Sequence, residues 1–132
     1  MEGVSAIVHL AAVFRTQNED DIWRANLDGT KNLIATAKAH APQARFVMAS
    51  TGLVYDADAS HPGLEDDATN PKLAYPASKI GTENELRNSG LNWSVLRLSF
   101  VCGDGHLAAV PEVVARFKWH PARRSCSFAL VR

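Results

Sequence analysis

A tyrosine and a lysine stand four residues apart in Tyr75-Pro76-Ala77-Ser78-Lys79. In a helix, positions i and i+4 share a face, so phenol and ammonium can point into one site. A free tyrosine, with a pKa of about 10, is a poor acid or base at neutral pH. A cation about 4 Å away favours the phenolate by roughly 1 kcal/mol in water and roughly 4 kcal/mol at an intermediate dielectric. That range equals roughly one to three pKa units. A helix N-terminus adds about 0.3–1 kcal/mol in the same direction. The pair therefore suits a proton-transfer tyrosine. The same spacing also fits a tyrosine packed at a helix start with a solvated lysine one turn on. Ser50-Thr51-Gly52 adds hydroxyls at the end of an apolar run, where open α/β sheets place their ligands.

The elements that must position these groups alternate along the chain. Residues 6–13 form a nearly continuous apolar run, read as a strand buried on both faces as in a parallel sheet. The small residues Ala11 and Ala12 at its end suit either close approach of a ligand or a tight strand exit. Residues 20–40 read as a helix, capped by Asn18 or Asp20, with Trp23, Leu27, Thr30, Ile34 and Ala37 on one face. Gly29 in mid-helix costs about 1 kcal/mol relative to alanine, which points to close packing there. Strands are expected at 45–50 and 93–101, with a loop over 56–72 and a helix over 74–89 between them. Pro76 is tolerated in the first turn of that helix. A weaker helix at 106–119 and a strand within 127–131 complete the pattern. The order strand–helix–strand–helix–strand–helix predicts a parallel α/β sheet.

Composition bounds the function. The chain has 132 residues, 46% hydrophobic and 21% charged, which suits one domain or a piece of one. Fourteen basic residues balance fourteen acidic ones, so nothing argues for a nucleic-acid or membrane-surface partner. No apolar run is long enough to span a bilayer, and no signal-peptide layout opens the chain. Two cysteines, Cys102 and Cys126, make no disulfide framework, so a reducing cytoplasm is the default. The five histidines, His9, His40, His61, His106 and His120, lack metal-ligand spacing, and no metal site is expected. Ser50 lies outside any G-x-S-x-G pattern. Gly103-x-Gly105-x-x-Ala108 nominally fits a dinucleotide fingerprint, but no acid follows Glu112 where the pattern needs one.

Taken together, the pieces resemble the extended short-chain dehydrogenase/reductases, the NAD-dependent epimerase/dehydratase group. Five blocks carry the resemblance, in order and at sensible spacing. They are Val8-His9-Leu10-Ala11-Ala12; Asn26-Leu27-Asp28-Gly29-Thr30-Lys31-Asn32-Leu33; residues 46–55 with Ser50-Thr51 and Val54-Tyr55; Tyr75 to Lys79; and Leu96-Arg97-Leu98 with residues 101–105. The match covers roughly residues 4–110. It implies a partial Rossmann-like parallel sheet with flanking helices. It also implies NAD or NADP as cofactor and hydride transfer on a hydroxyl- or carbonyl-bearing small molecule, with a nucleotide sugar as one candidate. By resemblance, Tyr75 is the proton donor or acceptor. Lys79 lowers its pKa and holds the nicotinamide ribose, and Thr51 hydrogen-bonds the substrate oxygen. Leu10, Ala11 and Ala12 lie along the cofactor, with Ser99 and Phe100 near the nicotinamide. Asn26 supports the site's hydrogen bonds, and helices 20–40 and 74–89 pair into a homodimer.

The chain departs from the family pattern in three places. The opening strands and Gly-rich turn that seat the pyrophosphate have no counterpart, so the chain reads as an N-terminally truncated fragment. Cys102 stands where the family usually has tyrosine. From about residue 121 the tail no longer follows the family. The expectation is one partial NAD(P)-binding domain over 1–132. Whether this chain turns over by itself stays open: the alternative is a non-catalytic remnant unable to hold cofactor alone.

Overall fold

The computed structural model describes residues 3–16, 18–55 and 63–99, together with the backbone of a short strand near the C-terminus. Strand β1 (Ala6–His9) leads to helix α1 (Glu19–Trp23), a π-helical turn (Arg24–Asp28) and helix α2 (Gly29–His40). Strand β2 (Arg45–Thr51), a 3₁₀ turn (Gly52–Val54), helix α3 (Ala74–Arg87) and strand β3 (Asn92–Leu98) follow, then β4 (Phe128–Val131). The sheet order is β1-β2-β3-β4. The first three strands are parallel, and β4 runs antiparallel to β3. The tail strand is thus present, but it gives a mixed sheet rather than a wholly parallel one. The expected helix at 106–119, the Gly103-x-Gly105-x-x-Ala108 loop, Phe100, both cysteines, His61, His106 and His120 lie outside the described residues.

Alternation along the strands sorts the sheet into two faces. Ile7, Phe46 and Trp93 are in register, as are His9, Met48 and Val95. This face meets Ile34 and Ala37 of α2 and Leu86 of α3, and it forms the core with Leu91. Fully burying a side chain such as Phe46, Met48 or Leu86 contributes about 1.5–3 kcal/mol. On the other face Val8 of β1 is 62% exposed, whereas Ser94 of β3 is buried. The double burial expected for the first strand is therefore not found. That strand also stops at His9 instead of running to residue 13. Beyond it the backbone N–H and C=O of Val13 are bound by the Asn26 side chain, so they are not free to extend the ladder.

The 19–40 segment is helical throughout, and Asn18 caps it by accepting from the Asp20 N–H at 3.1 Å. The π turn changes which residues face inward. Ile22, Asn26, Thr30, Ile34 and Ala37 are buried, while Trp23 is exposed. A regular 3.6-residue wheel misses this because a π turn adds a residue to the winding. Gly29 is not a close-packing point, for a Cβ there would meet only the Arg24 carbonyl oxygen at 4.0 Å. The tight approach is at Gly81, where a Cβ would lie 3.3 Å from the Leu27 Cδ1 atom. Helix α3 ends close to its expected stop, with Gly90 at φ 77°, the left-handed conformation that glycine adopts most readily.

Candidate active site

The site is built where β1, β2 and β3 end and α3 begins. A cleft of about 360 Å³ opens there, lined by Thr51, Tyr75 and Lys79 with Leu10, Ala12 and Ser99. Ala49, Ser50 and Leu98 complete its walls. Three separate stretches of sequence thus converge on one place. Ala11 does not line this cleft.

Thr51 is the last residue of β2. Its Oγ1 accepts from the Leu53 N–H at 3.2 Å, which starts the 3₁₀ turn. The hydroxyl hydrogen stays available to a group in the cleft. Ser50, its neighbour, points the other way and donates to Glu83 at 2.5 Å. Alternation along a strand puts adjacent side chains on opposite faces, so only one of the two hydroxyls can serve the cleft in this way.

Tyr75 occupies the first turn of α3 and Lys79 the next. The Lys79 side chain is driven inward, and the residue is 3% exposed. Its Nζ donates to the Ala49 carbonyl at 2.9 Å and lies 6.0 Å from the centre of the Tyr75 ring. Burial lowers the Lys79 pKa, partly offset by the Glu83 carboxylate one turn on. Tyr75 is pushed above its ordinary value by burial. The expected lowering by the lysine is not seen in this state. The carbonyl holds the ammonium, and the attraction assumed at about 4 Å weakens with distance.

Behind the pair runs a line of hydrogen bonds. Asn26 is 2% exposed, and its amide donates to Ser78 Oγ at 3.0 Å. Ser78 in turn donates to the Tyr75 carbonyl at 2.8 Å. With its bonds to Val13, Asn26 ties the loop after β1 to the start of α3. The π turn that carries Asn26 is of a kind often found at functional sites.

Two features went unread in the sequence. One is Phe14, whose ring packs against Tyr75 with centroids 4.6 Å apart and planes at 72°. The other is a buried ion pair, Arg97 with Glu83, the closest contact 2.7 Å. Arg97 also donates to the Tyr55 hydroxyl at 2.8 Å and the Glu65 carbonyl at 3.2 Å. Signals for this pair were available. Glu83 falls four residues after Lys79 on the same helix stripe, and Arg97 sits at the same strand parity as buried Val95.

The sequence matches the model of the NAD dependent epimerase/dehydratase family over residues 1–122. The chain belongs to this family. Among its relatives is the D-erythronate dehydrogenase of Cupriavidus necator, 31% identical over 127 residues, which are 94% of this chain and 36% of that protein. The D-erythronate dehydrogenase of Haemophilus influenzae is 26% identical over 108 residues, covering 76% of this chain and 34% of that protein. The chain thus spans about a third of the length of these family members. Among solved structures, the Bordetella bronchiseptica enzyme WbmH in complex with NAD+ superposes with a TM-score of 0.71 at 29% identity, covering 85% of this chain and 40% of WbmH. WbmG from the same organism, in complex with NAD and UDP, gives 0.68 at 30% identity, with 75% and 32% covered. The Rossmann-like architecture of the family is therefore present in part, with three parallel strands and their flanking helices.

Proposed function

We propose that residues 1–132 are one partial NAD(P)-binding domain that carries the proton-transfer machinery of a hydride-transfer enzyme, in a cytoplasmic setting. The observation that supports this most is the convergence of Thr51, Tyr75 and Lys79 on one cleft. At about 360 Å³ the cleft lies at the small end of the roughly 300–1,000 Å³ typical of ligand pockets. Leu10, Ala12 and Leu98 give it apolar walls suited to a flat ring, and Lys79 and Thr51 supply hydrogen-bonding groups. These residues fit the nicotinamide and ribose end of NAD or NADP. When bound, the nicotinamide supplies a hydride acceptor or donor.

The chain's own part is to hold the substrate oxygen and move its proton. Thr51 Oγ1 donates to that oxygen and fixes it before charge develops. Tyr75, protonated in this state, donates its proton to the oxygen when a carbonyl is reduced and takes one back when an alcohol is oxidised. The second direction needs the phenolate, which a Lys79 ammonium released from the Ala49 carbonyl would favour. Two relatives bearing the name D-erythronate dehydrogenase make a polyhydroxy acid the first substrate class to try, and a nucleotide sugar the second. A homodimer through helices 20–40 and 74–89 belongs to the same reading.

Titration of the chain with NADH and NADPH by fluorescence or calorimetry tests it. Saturable binding is expected. None up to millimolar cofactor would sink the enzyme reading and leave a remnant that keeps the residues without the reaction. Tyr75→Phe is expected to lower NAD-linked turnover by about 10²–10⁴-fold, the usual contribution of a positioned acid or base. Cofactor affinity should stay within a few-fold. Turnover that survives the change rules out Tyr75 as the proton-transfer group.

A further inference from the structure

Phe14 is 50% exposed, yet it is not loosely held. Both backbone polar groups of its neighbour Val13 are taken by buried Asn26, at 2.8 and 3.0 Å. The Phe14 ring meets the Tyr75 ring at 4.6 Å between centroids and 72° between planes, an edge-to-face contact. The Arg15 guanidinium lies over the same ring, 5.4 Å from the Phe14 centroid. An aromatic side chain that is half in solvent, backed by a buried anchor and pressed on a candidate proton-transfer group calls for a reason beyond core packing. We propose that Phe14 is a positioning residue for Tyr75: it braces the phenol ring from the loop side and keeps water off that side of the ring. The inference rests on Tyr75 being the proton-transfer group.

The surroundings leave Phe14 this role. Among the described residues few charged groups face Tyr75. Lys79 is on its own helix, and Arg15 packs on Phe14. His9, on β1, is close enough to Lys79 for its proton affinity to be lowered by that charge. From β2, β3 and the residue after β3 the cleft receives Ser50, Thr51, Leu98 and Ser99, none of which titrates near neutrality. Burial raises the Tyr75 pKa, and the Phe14 ring is one of the groups in contact with the Tyr75 ring. Edge-to-face pairs are worth about 0.5–1.5 kcal/mol beyond area burial, enough to fix one ring against another.

The chain has two tyrosines, which makes the test internally controlled. Tyr55, whose hydroxyl is bound by Arg97 at 2.8 Å, serves as the reference. Nitration with tetranitromethane, followed by peptide mass spectrometry across a pH series, reports the rate at each tyrosine. In Phe14→Ala the ratio of Tyr75 to Tyr55 labelling should rise several-fold, and the Tyr75 profile should move to lower pH. Phe14→Leu, which keeps apolar cover, should return both toward the parent. A ratio that stays at the parent value overturns the proposal. So does a rise with no movement in pH, or Phe14→Leu behaving as Phe14→Ala. General loosening would speed both tyrosines together, leave the ratio flat, and count against it. No turnover is needed, so survival of activity in Tyr75→Phe would defeat the proposed function without altering this result.

Discussion

His9 shows how one residue senses the site. It stands on β1 with Nε2 2.9 Å from Thr30 Oγ1, and its pKa is held below the ordinary 6.5 by burial first and the Lys79 charge second. The folded chain therefore binds this proton less tightly than the unfolded chain does. As pH falls, the unfolded state is protonated first. The stability contributed is fully present above 6.5 and is lost as pH falls through 6.5 toward the folded value. Denaturant midpoints measured over that window should fall with pH in the parent and fall less steeply in His9→Gln. Equal slopes would show that His9 is not the group responsible.

Between elements, the strongest tie is the ion pair that joins α3 to β3. Arg97 places Nε and Nη2 on the Glu83 carboxylate, which also accepts from Ser50 at the end of β2. The side chains are 4% and 1% exposed, so neither charge can turn to water, and loss of Arg97 leaves Glu83, among the described residues, only the longer ion-pair contact with Arg87 at 3.6 Å. Removing one member of a buried pair typically costs about 3–5 kcal/mol, whereas replacing both with apolar groups is often far milder. Urea unfolding of Glu83→Leu and Arg97→Met should each show a loss of that order. The double variant should lose clearly less than the sum. Simple additivity would mean that the two side chains are not energetically coupled. Two carboxylates at this depth would repel; one carboxylate and one guanidinium with their remaining partners satisfied do not. Among the described residues no buried side-chain nitrogen or oxygen lacks a partner.

For the molecule as a whole, the sheet is least covered at its β1 edge among the described residues. Val8 and Leu10 are 62% and 66% exposed, and among the described residues nothing pairs with the outer edge of β1. An uncovered strand edge beside apolar side chains favours self-association. Sedimentation velocity should show a concentration-dependent rise in mass. Val8→Lys should reduce it while changing stability by no more than about 0.5 kcal/mol, as expected for an exposed position. Association unaffected by that change would point to the helices instead. Among the described residues no helix is long and apolar enough to cross a membrane.

What the sequence determined by itself is what short spacing determines. Four residues along α3 bring Tyr75 and Lys79 to one helix side, and alternation along β2 separates Ser50 from Thr51. The strand–helix order foretold the three parallel strands, because a helix between two strands returns the chain to the same end of the sheet, but not the antiparallel β4. Tertiary structure decided the rest. The Ala49 carbonyl, 30 residues from Lys79, captured the ammonium and left Tyr75 protonated by burial. Asn26, 52 residues from Ser78, drew the loop after β1 onto α3 and carried Phe14 with it. Ionisation depends on solvent, charge and hydrogen-bond partners in three dimensions, and spacing along the chain specifies none of them.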